Sequence, residues 1–288
     1  SACYQGQTQG SIKFLLTKED AKSYLKDNRN KDVLHPLLIG DELLGQYKSQ
    51  PQRFIIDFRN VKDVFEASTY KELYAYIHKE VYPVFEKKAN EEIERNKEAK
   101  EENPNYKEKK DHQSAFKNWF RLFRSRKELM DIIQAKGRYI VCSRVTKRPI
   151  FEFINKEISP NDALTVFPLD DDYSFGILQS AIHWEWFVAR CSTLKGDWRY
   201  TSDTVFDTFP WPQNPTKKQI EEVAKQAKAL RDKRNEFMEE HQLTLRQLYR
   251  IMDDTPSNPV SEIQNRLDDA VRDAYGMRHD ADILQSLL

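Results

Sequence analysis

FGILQSAIHWEWFVARCSTLKGDWRYTSDTVFDTFPWP, residues 175–212, is the most informative stretch of the 288-residue chain. It begins as an apolar segment with helical character, turns at residues 194–197 and ends on the close FPWP. The turn carries Lys195, Asp197 and Arg199. The aromatic residues around it are predicted to be core residues that hold the turn still, namely Trp184, Trp186, Phe206, Phe209 and Trp211. The turn is therefore the candidate functional element, and the rest of the stretch is its scaffold.

The composition excludes several classes of protein. The 39% hydrophobic content supports a real core, and the 46 basic and 46 acidic residues cancel, so net charge argues neither for nor against nucleic acid. Three widely spaced cysteines, Cys3, Cys142 and Cys191, match no zinc or disulfide framework. No apolar run reaches the roughly 18 residues of a membrane span, and no signal peptide is present. We expect a cytoplasmic protein with reduced thiols, no membrane contact and no metal. Because the chain starts at Ser1 without Met, we expect a piece of a longer protein.

The N-terminal part mixes strand and helix patterns. Strands are predicted at residues 12–16 and 53–58, and a helix capped by Thr17 lies between them. Residues 37–44 suggest a turn entering a short helix. A second helix is expected to be capped by Ser68 or Thr69 and to kink or end at Pro83. The charge-rich run at about 86–111 is interpreted as a solvent-exposed helical arm followed by a loop near residues 103–105, without chemistry of its own.

The segment from His112 to Ile150 has a different character. It holds ten basic residues against Glu128 and Asp131, which is ten minus two, or a local net charge of +8. The ten are Lys117, Arg121, Arg124, Arg126, Lys127, Lys136, Arg138, Arg144, Lys147 and Arg148. Residues 125–128 match a capping box that opens a helix. Residues 138–145 and 149–154 predict a β-hairpin whose tip, residues 146–148, is basic.

Two clusters of titratable residues have ordinary structural explanations. Asp170, Asp171 and Asp172 are more typical of a cap on the next helix, near Ser174, than of a metal site. His183, in an HxE pattern on an apolar helix, is interpreted as structural. The chain also lacks a glycine-rich cofactor loop, an Asn-Pro-Pro-aromatic motif and a nuclease pattern. These observations predict a recognition module without catalytic residues.

After residue 213 the composition becomes that of a small helical unit. Thr216 can cap a long helix, a second helix is predicted over residues 244–252, and a third is expected over residues 261–275 with Gly276 just past its end. We therefore expect an α+β fold in two parts. A recognition domain with a mixed sheet and hairpin would span residues 1–213, and an all-helical subdomain would span residues 214–288.

Residues 175–212 resemble the target-recognition region of MmeI-like (type IIL/IIG) restriction-modification enzymes and related class I adenine-N6 DNA methyltransferases. The pattern is FG-L-S-hydrophobic-H, then L-aromatic-RY, then FPWP. The segments YQGQTQGSIKFLLTKEDA, LIGDELL, RFIIDF, RYIVCSRVTKRPIFEFI, LTLRQLYRIMDD and LDDAVRDAYG are similar to other parts of the same region. The resemblance covers nearly the whole chain. It implies that the S-adenosylmethionine site, the catalytic motif and any nuclease lie N-terminal to this region, and we expect this chain to lack all of them.

The residue chemistry at the turn fits the reading of a base pair. Lysine can donate to guanine O6 and N7, and aspartate can accept from cytosine N4. Spaced two apart in an extended loop, Lys195 and Asp197 would face the same side, and Gly196 would allow close approach. The resemblance implies that this pair reads the base pair beside the target adenine, with G on the methylated strand, and that other base readers lie within residues 161–172. Arg199 is a third candidate. The alternative is that Lys195 and Asp197 form only a surface ion pair.

Contacts to the DNA backbone are predicted for six cationic residues outside the turn. They are Lys117, Arg121, Arg124, Arg144, Lys147 and Arg148. The resulting expectation is a duplex DNA recognition domain, not itself an enzyme, of a bacterial protein. It would position the methyltransferase domain of the same parent chain, an adenine-specific enzyme that uses S-adenosylmethionine and could also cleave DNA.

The principal alternative is a protein-interaction scaffold in a DNA-modifying complex, without direct base reading. The placement of the ten basic residues of 112–150 discriminates between the two, because one shared concave face favours DNA and scatter favours a scaffold. An independent nuclease is a third alternative, and it would need a metal-binding carboxylate cluster, for which the sequence offers only Asp170–Asp172.

Overall fold

The computed structural model describes residues 2–194 and 197–288 and shows the expected α+β fold. The strands are β1 (Tyr4–Gln5), β2 (Leu15–Thr17), β3 (Leu34–Leu38), β4 (Arg53–Ile56), β5 (Arg138–Ser143), β6 (Glu152–Asn155), β7 (Ser159–Pro160), β8 (Leu164–Phe167), β9 (Ser192–Leu194) and β10 (Asp197–Arg199). One four-stranded sheet has the order β2-β4-β3-β7, a second has the order β1-β8-β5-β6, and β9 pairs with β10. The first sheet is mixed because β3 and β7 run parallel, whereas its other pairs are antiparallel.

Helices make up most of the remaining described residues. The α-helices are α1 (Lys18–Tyr24), α2 (Gly40–Gly45), α3 (Val64–Ser68), α4 (Lys71–Glu80), α5 (Tyr82–Glu102), α6 (Asp111–Lys117), α7 (Lys127–Gln134), α8 (Asp172–Gln179), α9 (Ala181–Arg190), α10 (Lys217–His241), α11 (Leu245–Asp254), α12 (Pro259–Tyr275) and α13 (Ile283–Leu287). Short 3-10 turns lie at Ile12–Phe14, Asn28–Asp32 and Tyr47–Ser49, and a π-helical turn lies at Ser202–Phe206. Within the part of the chain that is described, no helix has the length and apolar character needed to span a membrane.

Local capping signals determine several helix starts. Thr17, Thr216 and Thr244 each accept a hydrogen bond from the backbone N–H three residues later, and the caps at Thr17 and Thr216 are those that the sequence predicts. Asp171 does the same at α8, where its carboxylate accepts from Ser174 N at 2.7 Å. Gly276 ends α12 with a φ of +67°, a conformation that favours glycine. Each such cap is worth about 1 kcal/mol, so these boundaries are fixed by nearby residues alone.

Other predicted boundaries are wrong because contacts distant in sequence override the local pattern. The predicted strand at residues 12–16 begins with a 3-10 turn, and only Leu15 onward pairs with β4. The prediction of a turn entering a short helix at residues 37–44 overlooked strand β3, which continues through Leu38 before α2 begins. Neither Ser68 nor Thr69 is the N-cap of α4, since α3 ends at Ser68 and α4 begins at Lys71 without a side-chain cap.

The segment after α4 agrees with the prediction at Pro83, since α4 ends at Glu80 just before that proline, and departs from it further on. Pro83 lies in the first turn of α5, where its missing N–H costs nothing, and so it helps to begin that helix. The capping box at residues 125–128 does not form, because Arg126 precedes α7 in a left-handed conformation with φ +50° and makes no side-chain cap. The hairpin of β5 and β6 is present, but β5 ends earlier and β6 begins later than predicted, which leaves residues 144–151 as a long connection.

The charge-rich arm is a solvated helix, as predicted, but it is fixed at two buried positions. Glu92 accepts hydrogen bonds from the backbone N–H groups of His112 at 3.1 Å and Gln113 at 3.0 Å. Asn96 exchanges two hydrogen bonds with the backbone of Lys109, at 2.6 and 3.0 Å. These contacts hold the segment after α5 against that helix. The arm is therefore the first half of a helical hairpin with α6.

The apolar core is continuous across residue 213. One cluster joins buried residues of α8 and α9, such as Phe175 and Phe187, to buried residues of α10 and α12, such as Val223 and Leu267. The contact is close at Gly176, where an added Cβ would lie 2.7 Å from Val223 Cγ1. The helices after residue 213 therefore complete the core beneath the turn, and the division into 1–213 and 214–288 stays a prediction.

The segment at residues 4–9 connects the two sheets. Gly6 N donates to Leu164 O at 3.1 Å, and Gln7 N donates to Pro160 O at 2.8 Å. A Cβ on Gly6 would lie 2.2 Å from the carbonyl oxygen of Asn161, so only glycine permits this approach. On the other side, the Gln7 amide donates to the buried carboxylate of Asp57 at 2.6 Å. The relative position of the two sheets is thus set by backbone pairing and one buried polar contact.

Candidate nucleic-acid interface

A groove of about 840 Å³ lies between the two sheets. The first sheet and its helices supply one wall, and the other is supplied by the end of β5, the residues just before β8 and the last residue of β10. Its charged and amide residues are Arg53, Arg144, Arg199, Arg246, Asp41, Asp162, Gln5, Gln9 and Asn161. With four arginines against two aspartates, the groove has the charge that attracts a polyanion and the amides that can read hydrogen-bonding edges.

The hairpin of β9 and β10 is attached to the rim of this groove by backbone contacts. Thr146 N donates to Trp198 O at 3.0 Å, and Tyr200 N donates to Arg144 O at 2.8 Å. Val145 and Arg199 pair as an isolated antiparallel bridge between these bonds. The segment that follows β5 therefore acts as a short third strand beside β10, which holds the hairpin against the second sheet.

The side chains of β10 alternate between the groove and the core. Trp198 packs on Phe187 with ring centroids 6.2 Å apart, whereas Arg199 lines the groove. Asp197, two residues before Arg199, shares its face of the strand and is exposed. Asp197 pairs across the hairpin with Leu194. Lys195 lies outside the described residues, so the predicted pairing of Lys195 with Asp197 on one base pair stays a prediction.

Most of the predicted aromatic scaffold is in the core under the hairpin. Trp186, Phe206 and Phe209 are buried, and the Trp186 indole donates to Val205 O at 3.1 Å. Trp211 is partly buried against Phe206 and Phe209. The prediction is wrong for Trp184, which is 38% exposed and stacks under the guanidinium of Arg148 at 4.5 Å.

His183 belongs to the same aromatic core. It is fully buried, and its Nε2 lies 2.7 Å from the hydroxyl oxygen of Tyr200. The Tyr200 ring in turn stacks on Phe187 and meets Phe167 edge-on. The structural interpretation of the HxE pattern therefore agrees with this placement, since His183 holds the residue that immediately follows β10.

The burial of His183 predicts a pH dependence of stability. Burial lowers its pKa from 6.5 to about 3, because the charged ring loses its hydration in the core. Between these two pH values the unfolded chain binds the additional proton, so the free energy of unfolding falls as the pH falls. We expect this residue to contribute a loss of up to about 1.4 kcal/mol per pH unit below pH 6.5. Urea unfolding of the wild type and of His183→Asn at pH 7 and pH 5 measures the contribution.

The titration of Asp268 in the same pH range makes it necessary to compare wild type with His183→Asn. Burial raises its pKa from 3.8 to about 6, so the folded state keeps this proton longer than the unfolded state does. Its contribution to stability is lost as the pH rises through 6, which is the opposite sign to that of His183. The difference between wild type and His183→Asn isolates the histidine. Parallel pH profiles for the two proteins would contradict the assignment.

The ten basic residues of 112–150 do not share one face, and by the criterion of their placement this scatter favours a scaffold, so the case for DNA rests on the groove and not on a common basic face of these residues. Six make hydrogen bonds or ion pairs within the described part of the chain, namely Arg121, Arg126, Lys127, Lys136, Arg138 and Arg148. Arg148, for example, bonds to Asp253 at 2.7 Å, and Arg121 donates to the carbonyl of Lys62 at 2.9 Å. Lys117, Arg124 and Lys147 are exposed, and Arg144 lines the groove. The predicted DNA-backbone set therefore divides into residues free to meet a ligand and residues, Arg121 and Arg148, already held by the fold.

The structure adds Arg126, which the sequence interpretation counted but did not select. Burial, followed by the nearby charges of Arg124 and Arg144, lowers the pKa of Arg126, while Asp162 opposes the change. Its guanidinium donates to Gln5 Oε1 at 3.3 Å, and its Nε has no hydrogen-bond partner among the described residues. Arg124, Arg126 and Arg144 thus concentrate positive charge beside the groove, which a phosphate could offset. Arg124 and Arg126 are two residues apart in sequence, and only the fold brings Arg144 close to them.

The carboxylates of residues 170–172 are held by neighbouring cations. Lys136 bonds to Asp170 at 2.8 Å, and Arg138 and Arg231 both bond to Asp172. Across residues 2–194 and 197–288, no group of three or more His, Cys, Asp or Glu side chains is arranged to hold a metal ion.

Comparison with known proteins assigns part of the groove lining to a protein family. Residues 84–213 match the family model described as MmeI, target recognition domain. Residues 84–213 are an MmeI-like target recognition domain. The whole fold agrees, since 99% of the chain superposes with a TM-score of 0.73 and 19% identity on the type IIL restriction-modification enzyme MmeI, whose structure was solved in complex with DNA. A sequence relative is DNA methyltransferase A of Bacillus subtilis (strain 168), which is 35% identical over 108 residues, or 36% of this chain.

The chain spans only part of these relatives. It covers 34% of the MmeI chain and 11% of DNA methyltransferase A. Arg144, Asn161 and Arg199 lie inside the target recognition domain, whereas Gln5, Arg53 and other groove residues come from outside it. The groove is therefore completed by parts of the chain that the family match does not include.

Proposed function

We propose that this chain recognises duplex DNA by sequence, with the groove as its contact surface. The arginine-lined groove, one wall of which belongs to the target recognition domain, is the observation that carries the proposal. Phosphate contacts would fix register, and base contacts would specify sequence. Arg144, with Arg124 and Arg126 beside it, suits the first role. Arg199 and Asp197, on one face of a strand anchored by backbone bonds, suit the second, together with Lys195.

The remaining roles concern the longer protein of which this chain would be a piece. The chain would place an adenine-N6 DNA methyltransferase domain of the same polypeptide on its site, and S-adenosylmethionine would bind in that domain. The named relatives, a restriction-modification enzyme and a DNA methyltransferase, support this assignment. Residues 1–213 would carry recognition, and residues 214–288 would stabilise it through the shared core. A cytoplasmic location accords with a DNA substrate. Sequencing the sites that the parent methylates would define the recognition sequence.

Two alanine substitutions test the groove. Arg144→Ala is expected to weaken binding on all duplexes and to reduce the slope of log affinity against log salt by about 1, because one phosphate contact is lost. Arg199→Ala is expected to cost about 1–3 kcal/mol on the preferred site and to relax the preference at one base pair. Fluorescence anisotropy between 50 and 200 mM salt, on a duplex selected from a randomised pool, makes the measurement.

Arg266→Ala is the matched control, because Arg266 is exposed on α12 and contributes nothing to the groove lining. It should bind like wild type. The proposal fails if the wild-type chain shows no salt-sensitive affinity for any duplex, even when joined to its methyltransferase domain. That result would favour the protein-interaction scaffold.

A further inference from the structure

We infer that Val145 and Ile12 are specificity-determining residues that contact the 5-methyl groups of thymines in the bound duplex. The inference rests on the proposed function. Both side chains line the groove, and both are exposed, Val145 by 49% and Ile12 by 76%. They come from different walls, since Ile12 precedes β2 and Val145 follows β5. Neither side chain adds to the folded core while it stays in water.

Val145 lies directly beside the proposed base reader Arg199. The two residues are partners in an antiparallel bridge, so their side chains share one face at the short distance typical of cross-strand neighbours. The backbone bonds of Arg144 and Thr146 on either side fix Val145 in place. When Arg199 contacts a base, the bases stacked on either side of that base therefore lie next to the aliphatic side chain of Val145.

Ile12 is held just as firmly at the other wall. Its 3-10 turn is capped by Ser11, whose hydroxyl accepts from Lys13 N at 3.2 Å. The turn is anchored by Phe14, which is fully buried and meets Phe85 edge-on at 6.0 Å. Gly10 before it has a φ of +80° and hydrogen-bonds through its carbonyl to Lys88. This packing fixes the backbone on both sides of Ile12, so its exposure is a property of a well-held turn.

The chemistry of the groove selects the partner of these two side chains. Its arginines suit a polyanion, so the molecule that reaches Val145 and Ile12 is the same duplex. Phosphates, sugars and most base edges are polar, and the thymine 5-methyl is the aliphatic group that a base pair presents in the major groove. Val145 would thus read a thymine next to the base pair read by Arg199, and Ile12 would read a second thymine.

The experiment uses Val145→Ser and Ile12→Ser, which remove the aliphatic groups beyond Cβ. Binding is measured by anisotropy to a duplex selected by the wild-type chain, and to the same duplex with deoxyuridine in place of every thymine. Deoxyuridine lacks only the 5-methyl group. For wild type we expect a loss of about fourfold in affinity for each methyl contact removed. Each variant should show the same loss on the thymine duplex and no further loss at that contact on the deoxyuridine duplex.

Ile93→Ser is the control, because Ile93 is 46% exposed on α5, outside the groove. It should retain the wild-type response to deoxyuridine. The inference is overturned if wild type binds both duplexes equally, if the selected site contains no thymine, or if the groove variants lose equal affinity on both duplexes. In each of these cases wild type still shows salt-sensitive binding to duplex DNA, so the result does not contradict the proposed function. Absence of any duplex binding by wild type overturns both.

Discussion

Replacement of Asp57 by alanine is expected to lower the free energy of unfolding by about 3–5 kcal/mol. Asp57 is 1% exposed, and its carboxylate pairs with the guanidinium of Arg59, which is 7% exposed. It also accepts from Arg59 N at 2.9 Å and from the Gln7 amide at 2.6 Å. The substitution leaves a buried cation and a buried amide without their acceptor, which is among the costliest changes a core can undergo.

The same substitution should also weaken DNA binding. Gln7 belongs to the segment that joins the two sheets, and its amide additionally donates to Ser125 O at 2.8 Å, next to Arg126. Loss of Asp57 frees this segment and alters the groove that Arg126 and Arg144 flank. We therefore expect affinity to fall even at temperatures where the variant is still folded. Urea unfolding followed by circular dichroism, with anisotropy on the selected duplex, measures both effects.

The chain contains a matched control for this prediction. Asp27 and Arg29 have the same spacing, and Asp27 likewise accepts from the backbone N–H and the guanidinium of its partner, but both are exposed. Asp27→Ala should therefore cost much less, because water replaces the lost contacts. Replacing both buried partners, Asp57→Leu with Arg59→Met, should recover much of the loss. Equal destabilisation by Asp57→Ala and Asp27→Ala would contradict the assignment of a buried charge pair.

The contrast between these pairs shows what the sequence can and cannot predict. The two Asp-x-Arg patterns look alike in sequence, and only tertiary burial distinguishes them. Helix starts at Thr17, Thr216 and Thr244 were predictable because a cap is a contact between residues three apart. The capping box at residues 125–128 failed because Thr8 and Gln7, far away in sequence, hold that segment in another conformation.

Strand β3 was missed for a similar reason. Its sequence, LHPLL, contains a proline that argues against a central strand. Its pairing with β4 and with β7, about 120 residues later, nevertheless keeps it in the first sheet. The groove is the feature that the sequence predicts least, because only strand pairing brings Ile12, Val145 and Arg199 to the same groove. The family resemblance supplied the turn at residues 194–199 as a candidate, whereas the surface around it required the fold.

Exchange of the two charges at that turn, Lys195→Glu with Asp197→Arg, is expected to change the base pair read beside the target adenine from G·C to C·G. Lysine donates to guanine O6 and N7, and aspartate accepts from cytosine N4, so reversing donor and acceptor reverses the preferred pair. The described part of the hairpin makes the exchange reasonable, because Asp197 is exposed and shares a strand face with Arg199. The backbone bonds from Thr146 and Tyr200 hold β10 independently of both substituted side chains.

The exchange should be tested in the chain joined to its methyltransferase domain, by sequencing the methylated sites in treated DNA. Single alanine substitutions at either position should lose about 1–3 kcal/mol of discrimination without a new preference. A charge exchange on the solvent face of α10, Lys217→Glu with Glu221→Lys, is the matched control, since that exposed pair also keeps its net charge. It should leave the methylated sites unchanged. If the turn exchange also leaves them unchanged while the enzyme stays active, Lys195 and Asp197 form an ordinary surface pair, and base reading must then rest on Arg199 and the groove walls.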